Sequence, residues 1–348
     1  MNSGKPKLKN VQVLRGILFL GILLFHAGAP FASMMWGVEC FFVISAYFLT
    51  RKKLCENSFR IIEQTKHRVL RLLPEYICII LLAFVLSIMV GRIPWDVISY
   101  PVFLQDLLWI FTNYTSPMQP LMAHTWTLPI EVWCGLLLTI ILAISNKRYI
   151  KRMFIGLFVL GIAFREICVC FNIDALVLSL IPISHIDAFA VGGFTALNLK
   201  KSENDKIPGV VVLALGLIGI FGSIFYLARL QCVTLFEGYT LFKSSSNYLN
   251  NWFTVNIYSF ISLTCAGILM LIINNNQECK SKILEPLVWL GDNSYAGYMF
   301  HWPIRIILVH FFRHWIIVFI ADLLLTIIAC ELYKIARNKI KLIIRKKK

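Results

Sequence analysis

The sequence predicts an all-α protein, a polytopic transmembrane helix bundle of about ten spans with both termini cytoplasmic. Three observations predict it. Of 348 residues, 58% are hydrophobic and only 15% charged, and the mean hydropathy is +0.74, far from an ordinary soluble domain. The apolar residues gather in runs of roughly 20, the length a helix needs to cross a hydrocarbon core about 30 Å thick at ~1.5 Å per residue. The positive charge lies in the short connections between those runs, as the positive-inside rule requires of a multi-pass protein.

The spans are expected at 12–29, 34–50, 76–94, 126–145, 153–171, 185–199, 208–228, 252–273, 287–309 and 315–333. The run at 12–29 follows Lys5, Lys7 and Lys9 and ends in Ala27-Gly28-Ala29, a pattern shared with signal peptides. Cleavage there would leave an odd number of crossings and spoil the charge asymmetry, so it is read as a span. The run at 185–199 is the weakest, being short and holding Asp187. With a cytoplasmic N-terminus the inner segments are 1–11, 51–75, 146–152, 200–207, 274–286 and 334–348. They hold all of the 34 Lys and Arg residues except Arg15, Arg92, Arg165, Arg229, Lys243, Arg305 and Arg313.

Two connections are more than linkers. Residues 51–75, RKKLCENSFRIIEQTKHRVLRLLPE, are basic and amphipathic, and are expected to lie as a loop on the inner membrane surface with Leu70, Leu72 and Leu73 dipping inward. Residues 95–125 are long, aromatic (Trp95, Trp109, Tyr114) and poor in charge, which suits an outer loop folded back on the bundle. The tail Arg345-Lys346-Lys347-Lys348 faces anionic lipid. The net charge of +16 does not indicate nucleic acid, because no folded basic face carries it. Most of the ten Cys lie inside apolar runs and read as small hydrophobes, not as a disulfide framework or metal knuckle. No inverted repeat of the secondary-transporter kind is visible. The chain is a single membrane-embedded domain, 1–348, of the cell membrane, and a homodimer is compatible with it.

Ionisable groups inside a span are functional candidates, because burying them in hydrocarbon costs several kcal/mol unless they are paired or face a polar cavity. The first span carries Arg15 and His26. Eleven residues is close to three turns, so the two project from nearly one face, roughly 16 Å apart. Taken singly, Arg15 reads as a snorkelling anchor and His26 as a satisfied polar group. Their matched phase shifts the reading toward function. Glu39, in the second span, can orient or charge-pair an imidazole. At the head of the fourth, HTWTLPIEVW brings His124, Trp126 and Glu131 together. Trp126 alone suits an aromatic belt, whereas Glu131 needs a cationic partner, for which Arg305 or Arg165 is expected. Arg165 and Glu166 are adjacent, point about 100° apart, and are expected to pair elsewhere. The ninth span places Ser294, Tyr295, Tyr298 and His301 on one face, which suits a cavity lining or helix–helix hydrogen bonding. His310 and His314 have metal-chelating spacing, but their aromatic neighbours favour an interfacial role, and no metal is expected.

Five motifs occur in order: LRG with His26 eleven residues after Arg15, GVECFFVISAYFLT, HRVLRLLPEY, HTWTLPIEVW and LGDNSYAGYMFHWPI. With them the sequence resembles the acyltransferase family 3 membrane proteins, which O-acylate cell-surface carbohydrates. The resemblance implies a ten-helix enzyme that takes an acyl group from cytosolic acyl-CoA, most simply acetyl-CoA, and delivers it to a sugar hydroxyl at the outer face. It implies that Arg15 and His26 are the family's essential arginine and histidine, that Arg68 and Arg71 form its basic inner-loop motif, and that Glu131 is the carboxylate after its Trp. Glu39 stands where Asp is usual, Ala46 where Gly is common, and Thr125 and Thr127 flank Trp126 in place of Ser; these departures bear on acceptor identity.

The donor fits the residues: CoA is a long anion, and Arg15, Lys66, Arg68 and Arg71 supply cations near the cytosol. In the expected reaction His26 deprotonates the acceptor hydroxyl, with Glu39 or Glu131 orienting the imidazole; formation of an acyl-histidine first is the open variant. The acceptor is expected to meet the bundle and the outer loops 95–125 and 229–251, where Tyr239, Tyr248 and Trp252 can stack on a sugar ring. The rival readings are a proton-coupled transporter or flippase of a glycan or small molecule, which also uses buried His, Arg and Glu, and a noncatalytic factor of polysaccharide export. The basic segment 51–75 favours the enzyme.

Overall fold

The computed structural model describes residues 9–31, 34–56, 59–198, 206–243, 251–274 and 281–346. Lys5, Lys7, Lys200, Lys201, Tyr248, Lys280, Lys347 and Lys348, which entered the charge and loop arguments, lie outside the described residues. Every regular element described is helical: α1 Lys9–His26, α2 Met34–Cys55, α3 Ile61–Met89, α4 Gln105–Phe111, α5 Gln119–Met122, α6 Thr127–Ile144, α7 Lys147–Cys170, α8 Ala175–Leu180, α9 Ile186–Asn198, α10 Ile207–Leu230, α11 Leu235–Lys243, α12 Ile257–Asn274, α13 Glu285–Asp292, α14 Ser294–Phe311 and α15 Trp315–Lys346, with short 3-10 turns between some of them.

Among the described residues, seven stretches are long and apolar enough to cross a membrane: Lys9–His26, Ile61–Met89, Gln119–Ile144, Arg148–Cys170, Ile207–Leu230, Thr254–Ile273 and Trp315–Ile340. The protein is therefore a multi-pass helical membrane protein. The three expected spans at 34–50, 185–199 and 287–309 correspond to helices outside that set. Thirteen residues make α9 about 20 Å long, short of a hydrocarbon core. Glu39 and Arg51 dilute the apolarity of α2, and two His and Arg305 do so for α14. The run 287–309 is also not one helix. It breaks at Asn293, whose side-chain amide donates back to the Trp289 carbonyl (2.8 Å) at the end of α13, the local competition that makes Asp and Asn poor in helix interiors.

Most of the basic stretch 51–75 is helical, where a loop was expected. Arg51–Cys55 completes α2, and Ile61 opens α3, which continues through Pro74 to Met89. Leu72 is fully buried against the protein, and Leu70 is on the exposed, apolar side of the helix. The charges of Lys66, Arg68 and Arg71 interrupt the apolar run without interrupting the helix.

The chain divides into two compact units. One comprises Met1–Ala32 with Cys279–Lys348, and the other Ser33–Glu278. In the first, α1 lies against α13 with the two backbones in contact: a Cβ on Gly16 would run into the Leu287 carbonyl, and one on Gly291 into the Gln12 carbonyl. Close crossing at small residues is how membrane helices associate without a hydrophobic driving force. Phe19, Leu23 and Leu290 fill the core beside this contact, with Phe319 and Leu323 of α15 packed on them.

In the second unit α2, α7, α9 and α12 surround a buried centre, and Gly192 of α9 meets the Val43 backbone of α2. The outward faces of α3, α10 and α15 stay apolar, for instance Leu81, Val85, Ile218, Phe221, Leu324 and Ile328, as lipid contact requires. The segment 95–126 is ordered by α4, α5 and 3-10 turns and pinned to α3 and α6: Tyr76 stacks on Phe103, and Trp133 Nε1 donates to the Phe103 carbonyl (2.9 Å). Its own Tyr100, Trp109, Met118 and Met122 are buried.

Asp106, in this segment, is buried, and neither carboxyl oxygen has a hydrogen-bond partner among the described residues. Burial pushes its carboxyl well above the usual carboxylate range. The sign follows from linkage: a folded-state pKa above the unfolded value of about 4 favours folding at pH below that value. That contribution is lost as pH rises through the interval up to the folded pKa. Asp106→Asn should therefore melt at a higher temperature than wild type at pH 7.5 in detergent, with the gap closing toward pH 4; circular dichroism melts at the two pH values check it.

Candidate active site

The first unit holds Arg15 and His26 on one face of α1, and both meet α14. Arg15 Nη2 donates to Ser294 Oγ (2.9 Å) at the start of α14, and its Nη1 donates to Gln12 Oε1 (3.2 Å). Ser294 Oγ in turn donates to the Gly291 carbonyl (2.9 Å). Three turns along α1, His26 Nδ1 lies 2.9 Å from His301 Nε2, and His301 Nδ1 donates to the Tyr298 carbonyl at 2.7 Å. Both rings are buried. The indole of Trp302 stands edge-on to His26 at 5.1 Å, and the Arg305 guanidinium rests 5.0 Å over that indole. Arg305 Nε also donates to the His26 carbonyl (2.7 Å), capping the end of α1. Arg15 and His26, in phase on α1, thus both meet the one neighbouring helix α14. Tyr295 and Tyr298 on that helix are half-buried.

In the second unit, Glu131 meets the arginines of α3. Its Oε1 accepts from Arg71 Nη2 (3.2 Å) and from Ser45 Oγ (3.2 Å), and lies 3.7 Å from Arg68 Nη1. Arg68 also donates to Ser45 Oγ (3.3 Å) and to the Glu131 carbonyl (3.2 Å). The expected partners, Arg305 and Arg165, are not these: the cations for Glu131 come from α3, because three residues on a helix put Arg68 and Arg71 on one side. Arg68 is nearly buried, its side chain 10% exposed, and a Cβ on Gly135 would strike its guanidinium; Arg71 is 60% exposed. Two guanidinium groups against one carboxylate leave a positive excess, with Arg71 as the half available to an anion.

The centre of the second unit is a charged network that the sequence showed only in fragments. Arg165 of α7 and Asp187 of α9 are both fully buried and paired side-on, with Nη1–Oδ1 3.0 Å and Nη2–Oδ2 2.8 Å. Ser259 of α12 joins both, accepting from Arg165 Nη2 at 2.6 Å and donating to Asp187 Oδ2 at 2.5 Å, and the Ser184 carbonyl takes a further Arg165 proton. Glu166 turns the other way and accepts from Asn256 Nδ2 (2.5 Å). Beside the pair, His185 Nδ1 bonds Glu39 Oε1, while its Nε2 donates to the Ser179 carbonyl at 2.9 Å. Tyr258, Phe42 and Trp126 ring His185 with centroids 4.8, 5.7 and 5.9 Å away.

The imidazole that Glu39 holds is therefore His185, not His26, and the neighbour of His26 is an imidazole where a carboxylate was expected. His185 was missed in the sequence. The signal was a histidine two residues before Asp187 in the apolar run LIPISHIDAFA. His124 is buried in the 3-10 turn before α6, and Trp126 closes that turn. His310 and His314 form no chelating pair, because α14 ends between them. His310 donates to the Ile306 carbonyl, and His314 stacks on Trp315. Among the described residues no group of three or more His, Cys, Asp or Glu is placed to hold a metal ion.

A family model described as an acyltransferase domain matches residues 8–332. The chain is 22% identical over 322 residues to a Komagataeibacter xylinus protein named "Putative membrane-bound transacylase BcsY", covering 86% of this chain and 73% of that one. It is 25% identical over 356 residues to the O-acetyltransferase OatA of Staphylococcus aureus, covering 93% of this chain and 55% of that one. It is 23% identical over 320 residues to the peptidoglycan O-acetyltransferase OatA of Listeria monocytogenes, covering 85% and 49%. The chain thus spans about half the length of the two OatA proteins. No solved structure matches it.

Proposed function

The chain belongs to the acyltransferase family whose model matches residues 8–332, and from that premise we propose that it is a membrane-embedded O-acetyltransferase. The reaction moves an acyl group from cytosolic acyl-CoA, acetyl-CoA first, to a hydroxyl of a cell-surface or exported carbohydrate. The observation that carries it is the buried imidazole of His26 on a helix that also presents Arg15, both engaged by α14. A buried imidazole pair suits proton removal from a neutral hydroxyl, the step O-acyl transfer needs. Membership of an acyltransferase family and likeness to two O-acetyltransferases speak against the transporter reading.

In this proposal His26 is the general base. Arg71, with Arg68 behind it, receives the donor's phosphates, as a bidentate, permanently charged guanidinium does well. Glu131 arranges that arginine pair, and Glu39 acts through His185. His124, Trp126, Tyr295 and Tyr298 face the substrates. Ten crossings with both ends cytoplasmic require α2 and α14 to cross as well, and α9, too short alone, to cross together with the turn that precedes it, their polar groups satisfied within the protein.

CoA release from acetyl-CoA by protein in lipid nanodiscs, with a surface-glycan acceptor and mass spectrometry of the product, tests the reading. Acylated glycan with wild type and none with His26→Ala is expected. No product from either across donors and acceptors would overturn it, and equal product from both would remove His26 from the role of base. Arg71→Ala should raise KM for acetyl-CoA about 10-fold, the value of one charge-assisted hydrogen bond, with kcat little changed because the contact is made equally in ground and transition states. Initial-rate kinetics at varied donor concentration read this directly.

A further inference from the structure

We propose that His301 is the residue that sets the tautomer of His26, taking at this site the place a carboxylate takes in a Ser-His-Asp triad. The inference rests on the acyl-transfer reading and on hydrogen bonds within the first unit alone.

A backbone carbonyl only accepts, so the 2.7 Å contact between His301 Nδ1 and the Tyr298 carbonyl puts a proton on Nδ1. A neutral imidazole has one N–H, so His301 Nε2 is then the acceptor nitrogen. It faces His26 Nδ1 at 2.9 Å, so the proton of that bond belongs to His26 Nδ1. His26 is thereby held as the Nδ1–H tautomer, and Nε2 carries its lone pair. The Tyr298 carbonyl is three residues back on α14, so the direction of the relay is set by helix backbone, which cannot reverse it. Arg305, fixed over Trp302 and donating to the His26 carbonyl, keeps the His26 backbone in register with α14.

This polarity is the one transfer requires. The acceptor O–H gives its proton to His26 Nε2 as its oxygen bonds the thioester carbonyl carbon. Collapse of the tetrahedral adduct breaks the C–S bond, and the departing thiolate takes the proton from Nε2 as the free thiol. During the step the imidazolium keeps its Nδ1–H bonded to His301 Nε2, whose lone pair stabilises the developing positive charge on His26. His301 touches neither substrate in this scheme and is a positioning residue. The opposite tautomer, with Nε2 protonated, has no lone pair to offer the hydroxyl.

Two measurements test it. In 15N-histidine-labelled protein in lipid, solid-state NMR should show the resonances lost in His26→Gln to be a protonated Nδ1 and an unprotonated Nε2 at pH above the imidazole titration. An Nε2–H tautomer for His26 in wild type would overturn the proposal, whatever the variants do. In kinetics, His301→Phe and His301→Lys should lower kcat about 100-fold or more with KM for both substrates within twofold. His301→Gln, whose side-chain carbonyl can accept from Nδ1–H, should recover part of the loss. Undiminished kcat in a folded His301→Phe, or equal loss in Gln, Phe and Lys variants of unchanged melting temperature, would also overturn it. If wild type itself transfers no acyl group, it is the acyl-transfer reading that fails; if His26→Gln retains full transfer, the base assignment falls and the role of His301 with it. If His26→Gln is inactive while His301→Phe is not, the base assignment stands and only the role of His301 falls.

Discussion

His26→Gln is expected to lower kcat for acyl transfer by about 10²–10⁴-fold, the range removed with a general base, while KM for the acyl donor stays within twofold. Glutamine fills much of the imidazole's volume and can keep a hydrogen bond to His301, so packing of α1 on α14 survives and the lost term is proton removal. The substituted position is buried between Phe25, Trp302 and His301, where water is poorly placed to substitute as base. Single-turnover measurement of the acyl group on the acceptor separates this from slow product release. A residual rate within tenfold of wild type would show that the hydroxyl is activated by another group.

Arg165→Leu is expected to be the most destabilising single change, costing about 3–5 kcal/mol, the cost of stripping one partner from a buried ion pair. Asp187 would keep a hydrogen bond from Ser259 but lose both guanidinium contacts, with no solvent to take their place. Asp187→Asn alone should cost less, because the amide still bonds Ser259 and Arg165 keeps the Ser184 carbonyl. The double variant Arg165→Leu with Asp187→Leu should recover much of the single-variant loss, since an apolar pair leaves no orphaned charge. Thermal melts in detergent rank the three. Transfer activity of the double variant then distinguishes a structural charge pair from one that serves chemistry through its neighbour His185.

What the sequence revealed tracks how far a signal extends along the chain. The phase match of Arg15 and His26 is local to one helix, and their common neighbour α14 appears where that phase aimed them. The polar face of Ser294 and His301 is legible for the same reason. Glu131 was legible as a carboxylate in need of a cation, but its partners were not. The relevant property was the matching face of α3, whose extent was hidden because Lys66, Arg68 and Arg71 made its first turns resemble a surface segment. The Glu39–His185 contact spans 146 residues, and no periodicity connects its ends. Asp187 weakened a span prediction when considered alone; next to Arg165 it is the reason the short α9 is satisfied inside the protein. The break at Asn293 was indicated by Asp292-Asn293 in an otherwise apolar run.

The pairing of Arg165 with Asp187 has a bearing on biogenesis. A guanidinium alone in hydrocarbon costs from about 2.5 kcal/mol upward, a cost that α7 avoids when α9 enters the bilayer with it and Asp187 meets Arg165. Entry as a hairpin, with the charges paired across the connection that holds α8, is the least costly route. Lengthening that turn between Asn172 and Ala175 should thus lower yield in the membrane before it alters any property of the finished enzyme.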